Sequence, residues 1–225
     1  MNKTYVVTAC NRGLGLEFAR QLSGRGDRVI ATARDPESAT ELKRLDVEVV
    51  QLDVAAAASV DRLAAALGEE SVDVLINNAG VGVHSTPLEE LDFAEMEDFF
   101  AINSIGPLRV TRALLPALRR GADKTIVNVT SRMGSIEDNS SGAAYSYRAS
   151  KAALNMVTRS LAVDLGPEGF TCAVLHPGWV MTDMGGGSAP VAPEDSVAGM
   201  LRIIAGLSAE DNGEFYDFTG ARVPW

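Results

Sequence analysis

The chain has 225 residues, 46% of them hydrophobic and 22% charged, and its 20 Lys and Arg against 30 Asp and Glu give a formal charge of −10. That composition excludes a disordered chain, and the length favours one domain able to bury about 70% of its unfolded surface. Net acidity without a basic run excludes electrostatic binding to nucleic acid or an anionic membrane surface, and leaves room for a small anionic ligand only where positive charge gathers locally.

In chain order, apolar β-rich runs alternate with helical patterns. Strands are expected at residues 4–9, 28–33, 48–52, 72–76, 125–129, 171–175 and 214–218. Most are β-branched and lack polar alternation, as strands covered on both faces do. Between them, Leu14/Phe18/Leu22, Val60/Leu63/Leu67, Leu108/Ala113/Leu118 and Leu154/Val157/Leu161 recur at helical spacing. Parallel strands need crossovers of this length, and right-handed ones wind helices onto both faces. The expectation is one α/β domain over residues 1–225: a doubly wound Rossmann sheet of seven mostly parallel strands. A glycine-rich loop around 183–196 has the character of a substrate lid. Cys10 and Cys172 are too few and too far apart for a disulfide framework or a zinc site, so two buried thiols and no metal are expected. No run reaches the ~18 apolar residues of a membrane span. The apolar stretch near the start is too short for a signal peptide. A cytoplasmic protein is the expectation.

In such sheets a ligand binds beyond the carboxyl ends of the strands, where strand order reverses. After the first strand, Thr8-Ala9-Cys10-Asn11-Arg12-Gly13-Leu14-Gly15 turns toward a helix. Glycines there let the backbone approach a pyrophosphate and the helix start offers N–H donors, although two glycines also fit a plain helix-entry turn. After the second strand, Ala33-Arg34 lacks the carboxylate that would bind the ribose 2′-hydroxyl of NAD, whereas arginine accommodates a 2′-phosphate. Arg12 and Arg34 are expected to bracket that phosphate; Asp35 keeps NAD as the rival. After the fourth, Asn77-Asn78-Ala79-Gly80 can brace the backbone through side-chain amides and admit a ligand closely. After the fifth, Ser131 offers a hydroxyl in competition with Ser135, Ser140 and Ser141. Tyr147 and Lys151 then share a helix face, where the ammonium is expected to lower the phenol from its ordinary value of about 10. Tyr145 has Ala149 at that spacing instead.

In this order the motifs resemble the short-chain dehydrogenase/reductase family over essentially the whole chain. Thr8 with Arg12-Gly13-Leu14-Gly15 resembles the family's cofactor turn, and Asn77-Asn78-Ala79-Gly80 its sheet-bracing motif. Asn103, Ser131, Tyr147 and Lys151 match the catalytic tetrad, and Pro177-Gly178-Trp179-Val180 with Thr182 matches the segment flanking the nicotinamide. The stretch 131–147, with His176-Pro177-Gly178-Trp179 and Thr182-Asp183-Met184, is similar to the sniffer and C-factor branch of carbonyl reductases. One departure is Ala9 where the family turn reads Gly, a cost of about 1 kcal/mol if φ there is positive.

The resemblance implies NADP(H) as cofactor, with NAD(H) less favoured, and a small uncharged carbonyl compound or its alcohol as substrate. It implies Tyr147 as general acid and base, with Lys151 holding the nicotinamide ribose and lowering the phenol's pKa. Ser131 would orient the carbonyl oxygen, and Asn103 would hold a water linking Lys151 to solvent. Val180 and Thr182 would fix the carboxamide, and Pro177 and Gly178 would flank the ring. Asp53 and Val54 would meet the adenine, and Thr8, Asn11, Leu14, Asn78, Ala79 and Gly80 would line the remainder. Pocket walls are expected at Met133, Tyr145, Trp179, Met181 and Met184, with no cation to bind a carboxylate substrate. His176 is expected to anchor a loop, and His84 to lie on a surface loop. A homodimer or homotetramer is implied through the helices starting near Ile105 and Tyr147; nucleic-acid and membrane partners are not. The alternative is a dinucleotide-binding signalling protein of the C-factor type with little or no turnover. A methyltransferase on a similar sheet would leave the Tyr147/Lys151 pair idle.

Overall fold

A computed structural model of the protein describes residues 2–82 and 86–225; His84 lies outside the described residues. Seven strands, β1 (Thr4–Val7), β2 (Arg28–Ala33), β3 (Glu48–Gln51), β4 (Val74–Asn77), β5 (Thr125–Val129), β6 (Thr171–His176) and β7 (Phe215–Asp217), form one sheet. Their order is β3-β2-β1-β4-β5-β6-β7, and every neighbouring pair is parallel. The expected doubly wound α/β fold is therefore present. The apolar runs explain it: β4 and β5 are buried along their whole length, so each needs a helix on both faces.

One helical layer consists of α1 (Gly13–Gly24) and α6 (Pro193–Gly206), whose Phe18, Leu22, Met200 and Leu201 enter one core. The opposite layer holds α2 (Ala57–Leu67), α4 (Gly106–Arg120) and α5 (Tyr145–Leu165). They bring Val60, Leu63, Leu114, Leu118, Ala162 and Leu165 to a second core. The order reverses between β1 and β4, so the loops leaving these strands open a crevice at their carboxyl ends.

Several boundaries differ from the expected ones, three of them for a local reason. β1 stops at Val7 because Ala9 has φ +60, outside the extended region. β4 begins at Val74 because the Val72 N–H donates to the Ala117 carbonyl (3.1 Å), which ties it to α4. Residues 193–196 of the expected lid are the first turn of α6, started by Pro193.

A further helix, α3 (Phe93–Phe100), is capped by Asp92, whose carboxylate accepts from the Ala94 N–H (2.8 Å). It continues through a π turn, Ala101–Ile105, into α4. There the Gly106 N–H reaches the Ala101 carbonyl, one residue farther than an α-helix reaches. Pro107, four residues after Asn103, has no N–H for the Asn103 carbonyl. The wider turn carries Asn103 inward, fully buried, toward the end of β4.

Candidate active site

The β1–β2 side of the crevice is built mainly from backbone. Ala9 bends in the left-handed region, and its carbonyl comes so close to Gly15 that a Cβ there would lie 2.0 Å from the oxygen. Gly13 opens α1 with φ +55, and Leu14 behind it is half-buried. Thr8 is fully buried. Its hydroxyl accepts from the N–H groups of Asn78 and Ala79 (both 2.9 Å), while the Asn78 amide donates to the Thr8 (2.9 Å) and Ala9 (3.3 Å) carbonyls. The Thr8 and Asn78 side chains, expected to face the cofactor, thus lock two loops together and shape the cradle from behind.

The charges on this side stand in solvent. Asn11, Arg12 and Arg34 are exposed. The Arg12 guanidinium donates to the Asp183 carboxylate (2.9 Å), an ion pair between the glycine turn and the loop after Thr182. Arg34 follows buried Ala33, and its side chain has no hydrogen-bond or ion-pair partner among the described residues. A cleft of about 260 Å³ lies between turn and loop, lined by Arg12, Gly13, Arg20, Thr182, Asp183 and Glu194 among others. After β3, the Asp53 carboxylate accepts from the Ala55 N–H (3.0 Å) and Val54 is buried. Arg109 of α4 donates to the Val54 (2.8 Å) and Ala55 (2.9 Å) carbonyls, fixing this loop. Its sequence position, more than fifty residues away, gave no sign of that contact.

The other side is built from buried side chains. Ser131, Tyr147, Lys151 and Asn103 are 8%, 9%, 5% and 0% exposed. Tyr147 and Lys151 lie one turn apart near the start of α5, and the Tyr147 phenol hydrogen-bonds Ser131. This choice was open in the sequence. The Ser135 hydroxyl instead donates to the Trp225 carbonyl (3.1 Å), Ser140 is exposed, and Ser141 accepts from Arg148 (2.8 Å). Tyr145 is 41% exposed. The Ser131 oxygen also accepts from the Met133 N–H (3.2 Å), which fixes the hydroxyl from behind.

Lys151 donates to the Val129 carbonyl (3.0 Å), and burial brings its ammonium down to about 8. Gly134 permits this packing: a Cβ there would lie 2.9 Å from Lys151 atoms. The phenol departs from expectation. Burial pushes Tyr147 above its ordinary value, and the hydrogen bond from Ser131 works against that rise. The ammonium, 5.9 Å from the ring centroid, does not reverse it. Asn103 also differs in detail. Its side-chain oxygen accepts from the Val81 N–H (2.9 Å) and its amide donates to Ser150 Oγ (3.1 Å), so the side chain braces the loop after Gly80.

Pro177 and Gly178 follow β6. The Pro177 carbonyl accepts from Ser196 Oγ (2.6 Å), and Gly178 has φ +86. Val180 is buried, and its carbonyl accepts from the Thr182 N–H (2.8 Å). At His176, expected to anchor a loop, the buried Nδ1 has no partner among the described residues, and burial, with Arg132 nearby, holds the ring down at about 4. Of the expected pocket walls, Trp179, Met181 and Met184 are about half exposed at 57%, 49% and 55%, and Met133 is half-buried. Met184 is seated against Gly82, and the Trp179 indole N–H donates to the Gly185 carbonyl (2.7 Å).

Comparison with known proteins agrees with this geometry. The family model for short chain dehydrogenase matches residues 3–190. C-signal of Myxococcus xanthus is 57% identical over 154 residues, 68% of this chain and 93% of that protein. The NADPH-bound carbonyl reductase from chicken fatty liver is 36% identical with a TM-score of 0.93, covering 100% of this chain and 99% of the other. Carbonyl reductase Sniffer of D. melanogaster is 33% identical, with a TM-score of 0.93 over 100% of both chains.

Proposed function

Because the chain belongs to the short-chain dehydrogenase/reductase family, in the branch that holds Sniffer and C-signal, we propose that this oxidoreductase uses NADP(H) to reduce a small uncharged carbonyl compound to an alcohol. The observation that carries the reading is the buried Ser131–Tyr147–Lys151 group at the end of β5. A buried ammonium is costly and has no structural need to sit beside a phenol.

The residues fit the cofactor. Ala33 and Arg34 end β2 without an acid, and the uncommitted Arg34 guanidinium suits a 2′-phosphate. Arg12 joins it when its exposed pair with Asp183, weak in water, gives way. Gly80 keeps the floor open: a Cβ there would come within 3.1 Å of Asn103 Oδ1 and 3.5 Å of Lys151 Nζ. Asp53 and Val54 would bound the adenine end; Lys151, Val180 and Thr182 would hold the nicotinamide end. When bound, the dinucleotide supplies the hydride.

The chain's own residues supply the rest. Ser131, its oxygen occupied by the Met133 N–H, donates its proton to the substrate carbonyl oxygen and fixes its direction. Tyr147, held protonated by burial, delivers the phenolic proton to that oxygen as charge develops on it. Lys151, poised near neutral pH, holds positive charge under the phenolate that results. Residues 183–192, tied down through Arg12 and Gly82, form the lid, and the exposed apolar side chains of Trp179, Met181 and Met184 favour an uncharged substrate.

For assembly, Ile105 at the end of the π turn, Leu108 of α4 and Met156 and Val163 of α5 stand exposed, and the first two line a groove of about 410 Å³. We assign this face to a homodimer or homotetramer. Among the described residues no helix is long and apolar enough to cross a membrane.

The test is NADPH consumption across neutral aldehydes, diketones and keto acids, with NADH as control. Neutral substrates and NADPH should dominate, and Tyr147→Phe should lower turnover by roughly 10²–10⁴-fold with NADPH still bound. Preference for keto acids sinks the substrate class. The 57% identity to C-signal supports a second reading, a dinucleotide-binding signalling protein. Signalling activity retained in Tyr147→Phe would favour that reading over catalysis.

A further inference from the structure

Just before α5 the backbone does something unusual. Gly142, Ala143 and Ala144 have φ of +64, +53 and +48, three left-handed residues in a row, two of them alanine. Alanine avoids this region because its Cβ crowds the following carbonyl, and such a run persists only where its surroundings hold it. The holder is visible. Arg148, the residue after Tyr147, folds back over the turn: Nε donates to the Gly142 carbonyl (3.0 Å) and Nη2 to Ser141 Oγ (2.8 Å). Its Nη1 reaches the Met133 carbonyl (3.5 Å). Met133 is the residue whose N–H orients Ser131. A single half-buried guanidinium therefore joins the turn that launches the Tyr147 helix to the carbonyl of the residue whose N–H aims the Ser131 hydroxyl.

We propose that Arg148 is a positioning residue for the reaction: it holds the left-handed turn 142–144 and, through Met133, fixes the direction of the Ser131 hydroxyl against Tyr147. It touches none of the reacting atoms. The planar fork of arginine suits three acceptors on two separate segments, residues 141–142 and Met133, and the single ammonium of lysine does not. The inference rests on the carbonyl-reductase reading for its kinetic consequence, and on geometry alone for its structural one.

Two readouts separate these. In Arg148→Met, kcat should fall about ten- to hundredfold, the scale of a small misplacement of a catalytic group, while NADPH affinity, set on the other side of the crevice, stays within about twofold. Backbone amides at 142–146 and at 133 should exchange hydrogen faster. Arg148→Lys should fall between wild type and Arg148→Met. Replacing Ala143 and Ala144 by glycine in the Arg148→Met background removes the strain that Arg148 offsets, and should recover most of the lost kcat. Unchanged kcat and exchange in Arg148→Met overturn the proposal. So does a parallel loss of kcat, NADPH affinity and melting temperature that the two glycines fail to rescue. If the wild-type protein turns over no carbonyl, the reductase reading fails, and the exchange rates alone decide whether Arg148 holds the turn.

Discussion

The two sides of the crevice are built on opposite electrostatic terms. On the β1–β2 side the charges, Arg12 and Arg34, stand in water on a backbone cradle. On the β5–α5 side the polar groups are almost entirely out of water, held by Val129, Met133, Val81 and Ser150. Exposed charges cost little to place and are worth little singly, so the first side suits reversible capture of an anion. Buried groups cost much unless each is bonded, so the second side is rigid, with protonation states set by burial. A ligand can come and go on one side while geometry is kept on the other.

The largest expected effect lies on the buried side. Lys151→Met should lower kcat/KM by roughly 10²-fold or more, the usual scale for a group that assists proton transfer. In the wild type, activity should decline as pH rises past about 8, where Lys151 loses its proton, and not near 10, since Tyr147 is held above its ordinary value. Stability gives a second measure. Folding lowers the Lys151 pKa from 10.5 to about 8, so the burial penalty is fully present below pH 8. Between those values the unfolded chain binds the extra proton, and wild-type stability rises relative to Lys151→Met, by on the order of 3 kcal/mol. Cys10 and Cys172, both pushed up to about 12 by burial, act with the opposite sign as pH climbs past 9. Both proteins share them, so they cancel in the difference. Urea midpoints from neutral to alkaline pH measure it, and a difference flat with pH would refute a buried, depressed Lys151.

On the exposed side the expected effect is smaller and confined to cofactor choice. A charge-assisted bond to phosphate is worth about 1.5–3 kcal/mol, so Arg34→Ala should erode the NADPH-over-NADH preference by roughly 10- to 150-fold while leaving NADH kinetics nearly unchanged. Arg12→Ala should cost less, because in the wild type Arg12 must first leave Asp183. Steady-state kinetics with both cofactors at two salt concentrations check this, since exposed charges are screened. Equal losses with both cofactors would move Arg34 out of the 2′-phosphate site and weaken the contrast between the two sides.

How much of this was legible in the sequence follows the same division. Strands 28–33 and 125–129 were bounded correctly because their apolar, β-branched runs are local signals. Tyr147 and Lys151 were legible because four residues make one helical turn. The choice of Ser131 over Ser135, Ser140 and Ser141 was legible only through the family resemblance, since residue type alone does not say how far the chain winds before α5 begins. Arg148 and the left-handed run were hidden too: nothing local marks Ala143 and Ala144 as left-handed, and what holds them is a side chain that returns from the helix. The rise of the Tyr147 pKa was missed because spacing reports the ammonium but not the burial. Thr8 and Asn78 carry the family's residue types, yet their side-chain partners are each other's backbones, which no local pattern reveals.

Ala9, in the cradle of the exposed side, is the smallest test. Its φ of +60 is the conformation glycine adopts freely and alanine resists, and the bend is fixed from three directions. The Ala9 N–H donates to Thr32 Oγ1 (3.3 Å), its carbonyl accepts from Asn78 (3.3 Å), and Gly15 packs directly on that carbonyl. The strain is therefore held by β2 and by the loop after β4, not relieved by rotation. Ala9→Gly should stabilise the protein by about 0.5–1 kcal/mol, because the cost of a methyl at positive φ exceeds the entropy glycine adds to the unfolded chain. A higher urea midpoint with an unchanged slope would report it. NADPH affinity should change by less than about twofold, since the bend already has the shape the cradle needs. A lower midpoint would mean that the methyl packs well enough to outweigh its strain, and that the exposed side carries no conformational cost for departing from glycine.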